Sequence, residues 1–171
     1  MHFVFFMSRI TFQIGMMPMT KKFVLTKEGL AVLKQEYEQL VNQKRPAIAD
    51  RINTAREFGD LAENSEYDAA KEEQNLIEYR IAELEEVLNR ATVAEQPTSN
   101  EIVIIGSTVV VEMNQEIHEF QVVGSMEADP AKNKISNESP VGTSLLGLKA
   151  GETIEVAVGP VKSTIKVIEI K

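Results

Sequence analysis

One stripe constrains this chain more than any other feature. Tyr67, Ala70, Gln74, Ile77, Ile81, Leu84 and Leu88 recur at alternating spacings of three and four. A strand, whose side chains alternate between faces, would scatter these positions over both sides. A seven-residue repeat held through three heptads instead predicts a helix that packs lengthwise on another, as in a coiled coil. The partner lies just upstream. Thr26 is a good N-cap, and Leu30, Leu33, Tyr37 and Leu40 form a first stripe at helical spacing. The stripe resumes at Ile48, Ile52 and Ala55, displaced by about one position, with Pro46 in the shift. The displacement reads as a stutter that locally unwinds a supercoil, with a bend near Lys44–Pro46.

Two long helices joined by a short turn must be antiparallel neighbours. Gly59 ends the first, and Asn64 or Ser65 can cap the second. Arms of about 30 residues give a rod of roughly 45 Å at ~1.5 Å per residue. Such a rod has little core, and what it offers is reach.

Past Gln96-Pro97-Thr98-Ser99-Asn100, a polar break, the period changes to two. Strands are predicted at Ile102–Ile105, Thr108–Met113, Ile117–Val123, around Ile154–Val158 and at Val161–Ile170. Ser139-Pro140 reads as a cap and first-turn proline, opening a short helix through Leu145-Leu146 that ends at Gly147. The fold class is therefore α+β: a long antiparallel α-helical coiled-coil hairpin, then a small antiparallel sheet packed on one helix. The expected division is 19–95 for the hairpin and 96–171 for the sheet domain. Residues 1–18 are expected to be an extension ahead of the true start at Met19. They are too interrupted by Arg9 and Gln13 for a membrane helix, and lack a signal-peptide pattern.

Composition removes several kinds of chemistry. There is no Cys, which excludes thiol catalysis and Cys-ligated metals. The histidines are His2 and His118, too few for an ordinary histidine-based zinc site. His118 reads as an outward polar position on a strand. The net charge of −8 would be repelled by a phosphate backbone, so any RNA this protein acts on must be held by something else.

The rod's tip reads Arg56-Glu57-Phe58-Gly59-Asp60-Leu61-Ala62-Glu63-Asn64-Ser65-Glu66-Tyr67. Asp60 and Glu63 stand three apart, a spacing that puts both on one side of a helix or tight turn. Exposed carboxylate pairs suit hard cations such as Mg²⁺. By spacing alone, though, such a pair more often serves the helix dipole and solubility. Lys44, Arg45 and Arg51 read as a solvated face, and Tyr67 as a packing residue that braces the tip.

The tip string, with Ala55 before it and Asp68-Ala69-Ala70-Lys71 after it, resembles the tip signature of the Gre transcript-cleavage factors, GreA type. Thr26-x-x-Gly29-Leu30, Arg45-Pro46, Ser139-Pro140-Val141-Gly142 and Leu145-Leu146-Gly147 resemble further parts of that family, from about Met19 to Lys171. The resemblance implies an FKBP-like fold for the C-terminal domain and a cytoplasmic accessory factor that is not itself an enzyme. It implies bacterial RNA polymerase as partner, with the coiled coil entering the secondary channel to stimulate cleavage of the 3′ end of backtracked nascent RNA. Asp60 and Glu63 would carry that role by helping to hold a second Mg²⁺ at the polymerase's own active centre. The protein would hold no cofactor on its own. Arg56 and Lys71 would be candidates to contact the RNA, or else surface partners of Glu57, Asp60 or Asp68. Gly59, Asn64 and Tyr67 would support the tip, and Ser139, Pro140, Gly142 and Gly147 would be docking candidates. No membrane and no small-molecule substrate is implied. The alternative is a Gre-like channel-binding inhibitor, against which the intact Gly59-Asp60-Leu61-x-Glu63-Asn64 pattern argues. A prolyl isomerase would need an aromatic-lined pocket, and Phe120 is the sole aromatic after Glu95.

Overall fold

The computed structural model describes residues 22–57, 65–95, 100–158 and 161–171. The extension at 1–18 and the polar break at 96–99 lie outside them. Helix α1 (Lys27–Gln39) runs through a π-helical turn (Leu40–Lys44) into α2 (Arg45–Glu57), and α3 (Ser65–Arg90) returns alongside. Thr26 caps α1 as its sequence position predicts, its Oγ accepting from the Gly29 N–H at 2.9 Å. The buried residues of α3 are Ala70, Ile77, Ile81, Leu84 and Val87. The stripe thus follows the predicted heptads up to Leu84. Val87 then replaces Leu88 as the buried residue, and Leu88 is only partly covered.

The one-position displacement in the first arm has a different cause from the predicted stutter. The π-turn inserts the extra residue, and the apolar face regains α3 at Ile48, Ile52 and Ala55. Pro46 follows this turn directly. It carries no N–H, so the loosened stretch needs one fewer hydrogen bond there. The two arms bury two small apolar clusters in succession. One centres on Ile48, Ile52, Ala70, Ile77 and Ile81, the other on Leu25, Leu33, Leu84 and Val87.

At the base, β1 (Phe23–Leu25) pairs in parallel with β2 (Ala91–Val93). These three-residue strands were not predicted, being too short to show a period. Beyond them a five-stranded sheet forms, from β3 (Thr108–Met113), β4 (Glu116–Val123), β5 (Lys134–Ser136), β6 (Thr153–Val158) and β7 (Val161–Ile170), in the order β5-β4-β3-β7-β6. Three of its pairings are antiparallel as expected, whereas β4 and β5 run parallel. Asn114 and Gln115, both at positive φ, join β3 to β4 in a two-residue turn. Such turns match the strands' twist but strain residues other than glycine, asparagine and aspartate.

Ile102–Ile105 is not a strand. Val103 is nonetheless buried, exchanging backbone hydrogen bonds with Leu148 and Gly147. His118 does not point outward either. It shares the face of Phe120 and Val122, stacks on Phe120 at 5.7 Å and pairs across to buried Val111. Among the described residues no helix is long and apolar enough to cross a membrane.

Helix α4 (Pro140–Leu145) plugs one face of the sheet with Leu145, which is fully buried. Gly142 makes this possible, since a Cβ there would lie 2.0 Å from the Ser136 carbonyl oxygen. Gly142→Ala must therefore push α4 off the sheet. The expected cost is about 1–3 kcal/mol, read as a lowered thermal midpoint. A midpoint equal to the parent's would show that α4 can shift freely.

Candidate functional site

The rod's outer end is where α2 stops at Glu57 and α3 begins at Ser65. Helix α3 is unbroken over 26 residues, so this end stands about 39 Å from its base at ~1.5 Å per residue. Gly59, Asp60, Glu63 and Asn64 lie outside the described residues. What the structure does describe is the collar formed by the end of α2 and the start of α3.

Buried Ala55 and Ala70 let the two helices approach closely behind the tip. The Arg56 guanidinium lies over the Tyr67 ring, 5.8 Å from its centroid. Tyr67 is half-buried and packs against the Ile48–Ile81 cluster. Its ring is thus held by packing and offers its face to an exposed cation. Lys71 donates to Gln74 Oε1 at 2.7 Å, an interaction within α3. The structure thus sets Arg56 at the tip's edge on an aromatic face and ties Lys71 back along its own helix.

Arg45 and Arg51 stay on a solvated face, but each is paired across the hairpin. Arg51 Nε donates to Glu66 at 2.6 Å and Nη1 to Glu73 at 2.6 Å, one fork bridging two turns of α3. Arg45 grips Glu78 with two bonds of 2.8 and 2.5 Å. Arg80 reaches back from α3 to Glu36, and the Tyr37 hydroxyl donates to Glu85. These pairs form a ladder across the hairpin. Glu66 and Glu73 stand seven apart on one face of α3, a signal visible in the sequence, but nothing local identifies Arg51 as their partner. A slender rod needs such cross-links because its apolar clusters are narrow.

The ladder predicts a pH dependence. Hydrogen bonding to Arg51 holds the Glu66 carboxyl below its ordinary value, and Arg45 does the same for Glu78. A lowered folded-state value stabilises the fold above the unfolded value of 4.5, and that contribution is lost as pH falls through the lowered one. The thermal midpoint should therefore drop below about pH 4.5. An Arg45→Gln/Arg51→Gln double variant should melt below the parent at pH 7 and converge with it near pH 3. A gap that stays constant with pH would mean the arginines act only through packing. Both residues are well exposed, so the gap should also shrink with added salt.

The docking candidates all have local structural roles. Ser139 Oγ accepts from the Gly142 N–H at 3.0 Å and donates to Ser136 O at 2.7 Å, capping α4. Pro140 fills the first helical position and is exposed. Gly147, at φ 83°, turns the chain so that its N–H reaches Val103 O. Of this set Pro140 and Gly147 face solvent. Among the described residues no cluster of three or more His, Asp or Glu could hold a metal ion.

Two family models match, one described as the N-terminal part of a transcription elongation factor, over residues 23–93, the other as the C-terminal part of transcription elongation factor GreA/GreB, over 98–171. The transcription elongation factor GreA of Thermomicrobium roseum is 46% identical over 153 residues, covering 88% of this chain and 98% of that protein. GreA of Caldanaerobacter subterraneus subsp. tengcongensis is 50% identical over 157 residues, with 90% and 99% covered. Among solved structures, GreA factor homolog 1 of Thermus thermophilus is similar at 32% identity and a TM-score of 0.42, covering 88% of this chain and 99% of that one.

Proposed function

Because this chain belongs to the GreA/GreB family of transcription elongation factors, we propose that it binds RNA polymerase and stimulates cleavage of backtracked RNA from the tip of its hairpin. The observation that carries this reading is the rod itself. Its outer end stands about 39 Å from the base, cross-linked by ion pairs along its length, and carries two carboxylates three residues apart. A rod of this kind delivers charge into a narrow channel and needs no pocket of its own. The net charge of −8 fits a factor that leaves the RNA in the polymerase's hands.

Asp60 and Glu63 are hard oxygen donors, the class of ligand that Mg²⁺ prefers. Two carboxylates on one exposed tip would leave an ion mostly hydrated, so these residues would hold it only together with ligands from the polymerase. Such an ion, once bound, supplies Lewis-acid stabilisation of charge on the scissile phosphate. The chain's own contributions are to bring the carboxylates in on the end of the rod and to offer Arg56, at the last turn of α2, to the transcript's phosphates. The factor thereby assists an activity that belongs to the polymerase, in the bacterial cytoplasm.

The test is a polymerase stalled in a backtracked state on 3′-labelled RNA. Adding the protein with Mg²⁺ should release short 3′ fragments and restore elongation. Binding without fragment release would instead support the channel-binding inhibitor.

A further inference from the structure

The joint between hairpin and sheet domain is bridged by a carboxylate, that of Glu127. Glu127 lies in a short 3₁₀ turn (Ser125–Glu127) of the sheet domain, 101 residues from Thr26. Its carboxylate accepts from the Thr26 backbone N–H at 2.6 Å and from the Thr26 hydroxyl at 2.5 Å. The same hydroxyl accepts from Gly29, so Thr26, nearly buried, has both its side-chain roles filled. The acid also sits at the positive end of α1, where a negative charge is favoured.

The seat for this carboxylate is cut by an absence. A Cβ on Gly29 would lie 1.9 Å from Glu127 Cδ and Oε2. On the opposing side, a Cβ on Gly124 would lie 1.8 Å from the Val24 carbonyl oxygen. One glycine from each part therefore permits the contact, and Met126 beside Glu127 packs against the Leu25–Leu84 cluster.

We propose that Glu127 is a positioning residue: its carboxylate locks the base of the hairpin to the sheet domain through Thr26 and the space at Gly29, and so sets the direction in which the tip is presented. That this direction governs RNA cleavage rests on the function proposed above; the lock itself does not. A rod pivoting at its base moves most at its far end, so a small loosening at Thr26 becomes a large displacement of Asp60 and Glu63.

The chain has no Cys, so Asn75→Cys and Glu155→Cys, both at exposed positions, accept a pair of spin labels cleanly. Pulsed electron–electron distance measurements then read the angle of the joint. Glu127→Ala should broaden the distance distribution. Gly29→Ala should do the same by displacing the carboxylate, although alanine favours the helix itself. Glu127→Gln, which keeps the shape and an acceptor, should fall between. In unlabelled protein, Glu127→Ala and Gly29→Ala should lower the cleavage rate at saturating factor by about 10–100-fold. The concentration giving half-maximal stimulation should stay near the parent's. Thermal melts report folding, and if Glu127→Ala unfolds, the other two variants carry the test. Unchanged distributions in the variants would overturn the lock. Broadened distributions with parental cleavage would overturn the positioning role. A parent that stimulates no cleavage would overturn the functional reading, while the distances would still decide the lock.

Discussion

Asp60→Ala and Glu63→Ala should each reduce stimulated RNA cleavage by about 10²-fold or more while leaving polymerase binding intact. The loss should be large because each carboxylate would act on charge that develops only as the phosphate is attacked. Interactions of that kind change the chemical step and leave the association unaffected. Binding should survive because neither carboxylate belongs to the apolar clusters or to the ion pairs of Arg45 and Arg51 that hold the rod together. The measurement is the single-turnover rate of 3′ fragment release at saturating factor, beside a competition assay for polymerase. Variants that cleave at the parental rate would remove the tip carboxylates from the mechanism. Raised Mg²⁺ should restore part of the activity of either single variant if the remaining carboxylate still recruits the ion.

The largest expected change in stability is Leu84→Ala. Leu84 is fully buried where both helices, β1 and Met126 of the sheet domain converge. Removing it leaves a cavity bounded by Leu25, Leu33 and Val87, on a rod with few other apolar contacts to compensate. The expected cost is about 2–5 kcal/mol. For a chain of this size that lowers the thermal midpoint by roughly 5–15 °C, followed by helical circular dichroism. Leu76→Ala is the matched control. Leu76 lies on the same helix but is 71% exposed, and its loss should stay within about 0.5 kcal/mol. Equal melting of the two variants would mean the heptad stripe is not the rod's core.

The hairpin was legible because helical packing writes itself into spacing. Ala70, Ile77, Ile81 and Leu84 can share one face only on a helix, and Thr26 and Ser139 cap helices by bonds that reach three residues along the chain. The strands β3, β4, β6 and β7 were legible for the same reason, at period two. Val103 misled the reading because a run of β-branched residues can be buried as a loop that trades two backbone bonds with Leu148 and Gly147. Asp60 and Glu63 stood out through the tip string and not through any local periodicity.

By itself, then, the sequence determined the α+β class, the two arms, the caps and the residues offered at the tip, all of which depend on neighbours within a few positions. Only the tertiary structure decided that a π-turn absorbs the slip in the first arm, that Arg45 and Arg51 cross to α3, and that β1 and β2 run parallel. It alone brought Glu127 onto Thr26 across 101 residues. The physical reason is that periodicity follows from the backbone's own geometry. The partner of a charge, a buried hydroxyl or a short edge strand depends instead on which distant surfaces meet, and no spacing along the chain records that.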